Sequence, residues 1–215
     1  MATRDEIKGN ILAKIDEISP FSNIDVQWDT LIESLLNSSM NSFLTIIPIH
    51  LIKPVFHAYT SPTTFIHGTD AFHDLGILNL NDDFLRFSYA TCIYWYRPVR
   101  QLGFVTSRDY DRQFDIHTRA GVAKPKVFLD SINESNKRLI ISPFRSNWIA
   151  QSDLKVYYVQ KCETGAGLFQ VEDVADELLE GYYWYAAHQV LTTMERPDFA
   201  QSAIQKYVEW SINKQ

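Results

Sequence analysis

The stretch "HGTDAFHDLG", residues 67–76, places two histidines and two aspartates within eight positions. Imidazoles and carboxylates are the donors a zinc or manganese ion takes, and an ion so held can activate water for hydrolysis. Wound as one helix at about 100° per residue, His67, Asp70, His73 and Asp74 share roughly a 120° arc. The spacing argues against that site. Gly68 and Thr69 follow His67 and Gly76 comes soon after, so a helix here has one or two turns and leaves His67 outside it. Thr69 or Asp70 reads as its N-cap and Gly76 as its stop. Neither H-x-x-x-H nor H-x-x-E-H occurs. The prediction is a surface loop with a short capped turn and no metal.

A nucleophile is no easier to find. The chain has no G-x-S-x-G, no P-loop and no G-x-G-x-x-G, and "GAGLF" reads as a turn. Cys92 alternates with apolar neighbours as a small core residue does. With Cys162 it makes only two cysteines and no CxxC, so neither a disulfide framework nor a zinc knuckle is predicted. His188 sits in an aromatic helix, where a hydrogen-bonded packing role is expected. No catalytic residue and no cofactor is predicted.

The elements that would position any site are legible in outline. The 215 residues suffice for one domain, or for a domain with a large insertion. No apolar run approaches the ~20 residues of a membrane helix, and "MATRDEIKGN" lacks the apolar core of a secretory leader. A chain that stays or assembles in a cytoplasm is expected. Thr3 and Glu6 form a capping box, after which Ile7, Ile11, Ile15 and Ile18 recur at helical spacing. A second helix carries Trp28, Leu31, Ile32, Leu35 and Leu36, ending near "NSS" or resuming through Met40 and Phe43. "FLTIIPIHLIKPVFHAY" is apolar and broken by Pro48 and Pro54; pattern alone does not separate helix from strand there.

The middle alternates as strands do. In "LNLNDDFLRFSYATCIYWYRPV", Leu85, Phe87, Tyr89, Ile93 and Trp95 point one way. "RDYDRQFDIHTRAG" alternates too, "KPKVFLDSI" and "KRLIISPF" read as a hairpin, and "SDLKVYYVQKC" as a further strand. Helix returns in "VEDVADELLEGYYWYAAHQVLTTMER", whose aromatics cover more than one face. Pro197 ends that helix, Asp198 caps the next, and Phe199, Ala203, Tyr207 and Trp210 form its apolar stripe. The predicted fold is α+β: a four-helix bundle of N- and C-terminal helix pairs with a central antiparallel β insertion. The expected segments are 1–60, 61–171 and 172–215. The formal charge of −6 is uneven. From Arg97 to Arg145 ten basic residues face five acids, a surplus of +5 that leaves −11 for the rest. Such a middle suits an anionic partner or a solvated sheet.

Taken together, "ISPFSNIDVQWDTLIESLLNSSMNSFLTIIPIHLIKP", "LNDDFLRFSYATCIYWYRPV", "RDYDRQFDIHTRAGVAKPKVFL" and "ELLEGYYWYAAHQVLTTMERPDFAQSAIQKYVEWSI" resemble the head–tail adaptor, or connector ring, proteins of tailed phages. The short-tailed, crAss-like group is the most similar. The resemblance spans most of the chain and rests on packing and turn patterns, with no reactive motif. It implies a structural virion protein, not an enzyme, assembled in the host cytoplasm. The implied assembly is a homo-oligomeric ring, usually dodecameric, under the portal protein. Such a ring extends the channel for double-stranded DNA and receives the next tail ring or tail tube. Tyr182, Tyr183, Trp184, Tyr207 and Trp210 would suit ring contacts or fill the core. Arg119, Lys124 and Lys126 would face DNA, an acidic neighbour or solvent. The rival readings are a hydrolase or metal enzyme using the His67–Asp74 loop, and a ligand-binding α+β module.

Overall fold

The computed structural model describes residues 2–18, 26–52, 55–59, 64–67, 74–115, 117, 119–133, 136–144, 154–164 and 169–214. The fold is α+β, in two units: residues 1–52 with 161–215 are helical, and residues 53–160 carry the sheets.

The helical unit begins with α1, Arg4–Ile18. The Thr3 N–H donates to Glu6 Oε2 at 2.7 Å and the Glu6 N–H to Thr3 Oγ1 at 3.3 Å, forming the expected capping box. Ile7, Ile11 and Ile15 are buried. Helix α2, Val26–Ile46, runs straight through "NSS". The hydroxyls of Ser34, Ser38 and Ser39 donate to carbonyls three residues back at 2.7–3.0 Å, so these serines are satisfied inside the helix instead of ending it. Pro48 then enforces the exit, followed by a single 3-10 turn, Ile49–Leu51.

The sheet unit holds β1 Val55–Tyr59, β2 Thr64–His67, β3 Asp74–Asn79, β4 Phe84–Cys92, β5 Leu102–Phe104, the short helix α3 Arg108–Asp111, β6 Lys126–Asn133, β7 Asn136–Phe144 and β8 Leu154–Gln160. The strands form a three-stranded sheet, β1-β8-β4, and a five-stranded sheet, β2-β3-β7-β6-β5. The changeover from helix to strand therefore precedes residue 60, because β1 pairs with β8. The expected antiparallel arrangement needs one correction: β5 runs parallel to β6. The 105–125 connection, which includes α3, exceeds the dozen or so residues a parallel return needs.

One apolar core joins the two sheets, with Leu78, Val127, Leu139, Ile141 and Phe144 from the five-stranded sheet meeting Phe84, Phe87, Ala90, Leu154, Val156 and Tyr158 from the other. Phe128, Ile140 and Leu75 point to the opposite face of the larger sheet, where Tyr110 and Val105 cover them.

Three sequence expectations fail here. The alternation read in β4 is interrupted by register shifts at Phe84/Arg86 and Phe87/Tyr89. Each irregularity resets which side faces inward, so Phe84, Phe87, Ala90 and Cys92 are buried while Ile93 is exposed. "RDYDRQF" forms α3 and a 3-10 turn, Arg112–Phe114, instead of a strand. Tyr110 and Phe114, four apart, share a side in either conformation; as helix they meet at 5.5 Å, and Tyr110 meets Phe128 at 5.4 Å. In "HGTDAFHDLG" it is the predicted stop at Gly76 that fails. His67 ends β2, Asp74 opens β3 and the two are paired across the ladder. Gly76 lies inside β3 opposite Phe65, because Leu75, Ile77 and Leu78 are needed as buried strand residues. Asp70, His73 and the predicted cap at Thr69 or Asp70 fall outside the described residues.

The chain closes with a 3-10 turn, Val171–Asp173, then α4, Asp176–Thr193, and α5, Pro197–Ile212. Every residue from Gly181 to Ala187 is buried, since α4 packs against α1, α2 and α5. Between α4 and α5, Glu195 adopts the left-handed conformation with φ 55°, and the Arg196 N–H donates to the Leu191 carbonyl at 3.0 Å. Arg196, not Asp198, is the α5 N-cap residue, and Pro197 takes the first helical position.

Candidate interaction surface

Beyond Cys92 the backbone leaves the sheet and is pinned at two inward points. The Trp95 ring is buried, its indole N–H donating to the Pro143 carbonyl at 3.2 Å. Val99 bridges back to Ala90 through bonds of 2.8 and 2.9 Å. Anchoring Trp95 and Val99 leaves their neighbours turned out. Ile93 is 68% exposed and Tyr96 81%, with Tyr94 also at the surface. The chain then enters β5, where Phe104 is 58% exposed. Gly103 lets β5 approach β6: a Cβ there would lie 2.7 Å from the Phe128 ring.

Beside β5 and β6 opens a cleft of about 550 Å3, bordered by Arg97, Arg100, Phe104, Asp109 and Lys126. Its charges divide into matched and unmatched. Lys126 is ion-paired with Asp109, which also receives Arg112 at 3.3 Å. The Lys126 ammonium, hydrogen-bonded to Asp109, holds that carboxyl below the usual carboxylate range, with a smaller contribution from Arg112. Arg138 is paired with Asp130 at 2.7 Å. Among the described residues no acid is paired with Arg97 or Arg100, both exposed. Exposed aromatic and arginine side chains around an open cleft suit recognition of a protein surface.

The structure disperses the three basic residues singled out in the sequence. Lys126 borders the cleft with its charge already met by Asp109, and Lys124 is exposed on the preceding turn. Arg119 is half-buried, its N–H donating to the Asp115 carbonyl at 3.0 Å.

Of the two readings left open for the aromatic candidates of the helical unit, burial within the chain fits the core. Tyr182, Tyr183 and Trp184 are buried in the stretch of α4 that is covered on all sides, and Tyr207 is buried on α5. The Tyr182 hydroxyl donates to the Leu36 carbonyl at 3.0 Å and lies 3.1 Å from Ser39 Oγ, while burial pushes its ionisation far above the ordinary tyrosine range. Tyr183 accepts from Asn10 at 3.3 Å, and the Trp184 indole N–H donates to Glu180 at 3.1 Å beneath Lys14. Tyr207 meets Tyr185 at 5.5 Å and Phe43 at 6.0 Å. Trp210 is half-buried, its ring seated on Gly181. The exposed residues that the sequence reading did not single out as a surface are Ile93, Tyr94, Tyr96, Arg97, Arg100 and Phe104; all but Phe104 lie in "IYWYRPVR", an aromatic and arginine turn containing a proline.

Nucleophile chemistry finds no support in the candidates. Burial pushes the Cys162 thiol up to about 12, and Asn41 brackets its backbone, accepting from the Cys162 N–H at 2.6 Å and donating to its carbonyl at 3.1 Å. His188 Nδ1 lies 3.0 Å from the Ala200 carbonyl, the packing role read from the sequence. Among the described residues no group of three or more His, Cys, Asp or Glu is placed to hold a metal, and no helix is long and apolar enough to cross a membrane. Compared with family models and with curated proteins, the chain matches none, so its surface is read from its own residues.

Proposed function

We propose that this chain is the subunit of a head–tail adaptor ring, a structural virion protein without catalytic activity or cofactor. The observation that carries this reading is the interrupted helical unit. Its two halves come from the chain ends and the sheet unit is inserted between them, the order the resemblance implies. On this reading the four long helices act as one bundle built from the N- and C-terminal pairs, and the sheet unit projects partner contacts. The ring, dodecameric by the resemblance, sits under the portal protein, extends the DNA channel and receives the next tail ring or tail tube. The acidic balance supports a wall past which double-stranded DNA slides, since binding to phosphates is driven by Lys and Arg. Assembly belongs to the host cytoplasm and function to the virion.

The test is to mix the purified chain with a portal protein of a short-tailed, crAss-like phage and image the product by negative stain, with native mass spectrometry for stoichiometry. A closed ring of this chain stacked on the portal is the expected result. A chain that never joins the portal and turns over a hydrolase substrate would overturn it.

A further inference from the structure

We infer that the exposed segment from Ile93 to Phe104 is one half of a head-to-tail contact, and that its occupant is the acidic helical unit of a second copy of this chain. The inference rests on the ring reading above and names the surfaces that ring would use.

Charge identifies the occupant. The helical unit carries 7 Lys and Arg against 16 Asp and Glu, hence −9; the sheet unit carries 13 against 10, hence +3. Arg97 and Arg100 are unmatched by any described acid, whereas in the helical unit the acids outnumber their cations: Lys8 alone meets Asp5, Asp29 and Glu33. The apolar component is matched as well. Val208 and Ile212, one turn apart on α5, are exposed with Glu209 between them. One patch is therefore apolar with a cationic rim, and the other is apolar on a unit with a surplus of acids, its own Glu209 reaching Lys206 at 3.7 Å. Pairing of the sheet patch with its own copy would gather four arginines in one interface, and like charges across an interface cost several kcal/mol. Two different patches that fit each other make a heterologous contact, which closes into a ring or runs on as a filament. Tyr and Arg are also the side chains over-represented where interfaces hold tightest.

The experiment uses the full chain in three forms: wild type, Y96S/R97E/R100E, and V208K/E209K/I212K. All six substituted positions are exposed, and circular dichroism checks that each form is folded. Sedimentation velocity and native mass spectrometry at low salt should show the wild type associating and each variant alone at least ~100-fold weaker, in line with loss of interface anchors. Mixed, the two variants retain one intact patch each and should form a one-to-one dimer and nothing larger. Should a triple variant misfold, R100Q and E209Q replace them, each weakening association and flattening its salt dependence. A wild type monomeric at its highest soluble concentration, a sheet-face variant that associates normally, or a mixture that stays monomeric would each overturn the inference. So would a face that binds nucleic acid or an unrelated acidic protein in place of a second copy. Normal rings on the portal from the sheet-face variant would remove this contact and leave the adaptor reading standing; the predicted pairing without portal binding would do the reverse.

Discussion

Gly181 and Trp210 supply a test of the helical core whose outcome changes sign with background. Gly181 lies in the second turn of α4 and is buried; the Trp210 ring of α5 covers it. A Cβ added there would lie 2.4 Å from Cε3 and Cζ3 and 2.6 Å from Cδ2. Carbon atoms in contact sit at about 3.5–4.0 Å, so the ring must retreat by roughly 1 Å or the two helices must part. Against this, alanine in place of a mid-helix glycine is favourable by about 1 kcal/mol. Overpacking costs about 1–3 kcal/mol, so G181A should be neutral to about 2 kcal/mol destabilising in the wild type. In W210A the obstacle is gone and only the helix gain remains, so G181A should then stabilise by about 1 kcal/mol. The interaction energy between the two sites is therefore about 1–3 kcal/mol, well above the few tenths expected of independent positions. Urea unfolding of all four proteins at 222 nm, where the helices dominate, measures it directly. Equal stabilisation by G181A in both backgrounds would refute the close α4–α5 approach.

Two further outcomes follow from the helical unit. Replacing Glu195 by glycine removes the steric penalty of a side chain at φ 55° and should stabilise the protein by about 0.5–1 kcal/mol, read as a higher urea midpoint with unchanged slope. Replacing Tyr182 by phenylalanine should cost about 1 kcal/mol near neutrality through its lost hydrogen bonds to Leu36 and Ser39. That deficit should shrink at alkaline pH. The folded state holds the Tyr182 phenol neutral above its ordinary pKa, so the wild type loses stability as pH rises past the unfolded value while the variant lacks that group. A deficit that grows with pH would contradict this account of the buried phenol.

The parts of the fold that were legible in the sequence are those where one face of an element is buried throughout. Ile7, Ile11 and Ile15 announce α1, the run from Val127 to Leu129 and from Leu139 to Ile141 announces the β6–β7 pair, and "GYYWYAAH" announces a helix covered on all sides. The failures share a cause. Irregularities in β4 alter its periodicity without leaving a mark in composition, and Tyr110 with Phe114 satisfies both helical and extended spacing. What decides α3 is a distant contact, the Phe128 ring beneath Tyr110, together with Gln113, which donates to the Asp109 carbonyl at 2.6 Å and accepts from the Ala120 N–H at 2.9 Å. Such contacts are set by tertiary structure, and no window of sequence holds them.

The candidate surface was harder to read than the core for a different reason. An aromatic side chain in a sequence is far more often buried than displayed, so a cluster such as Tyr182–Tyr185 draws attention while an equal cluster at Ile93–Tyr96 looks like strand continuation. The structure separates them by one feature, the inward anchoring of Trp95 and Val99, which spends the buried positions of that turn and leaves Ile93, Tyr94 and Tyr96 outside. Charge behaves the same way. Ten basic residues from Arg97 to Arg145 read as one field, yet Lys126, Arg112 and Arg138 are matched by Asp109 and Asp130 at close range. What the cleft presents is the remainder, Arg97 and Arg100 beside the exposed Phe104 ring. The candidate surface is thus defined by subtraction: Arg97 and Arg100 are what the described ion pairs leave over, and Ile93, Tyr96 and Phe104 are what the packing leaves exposed.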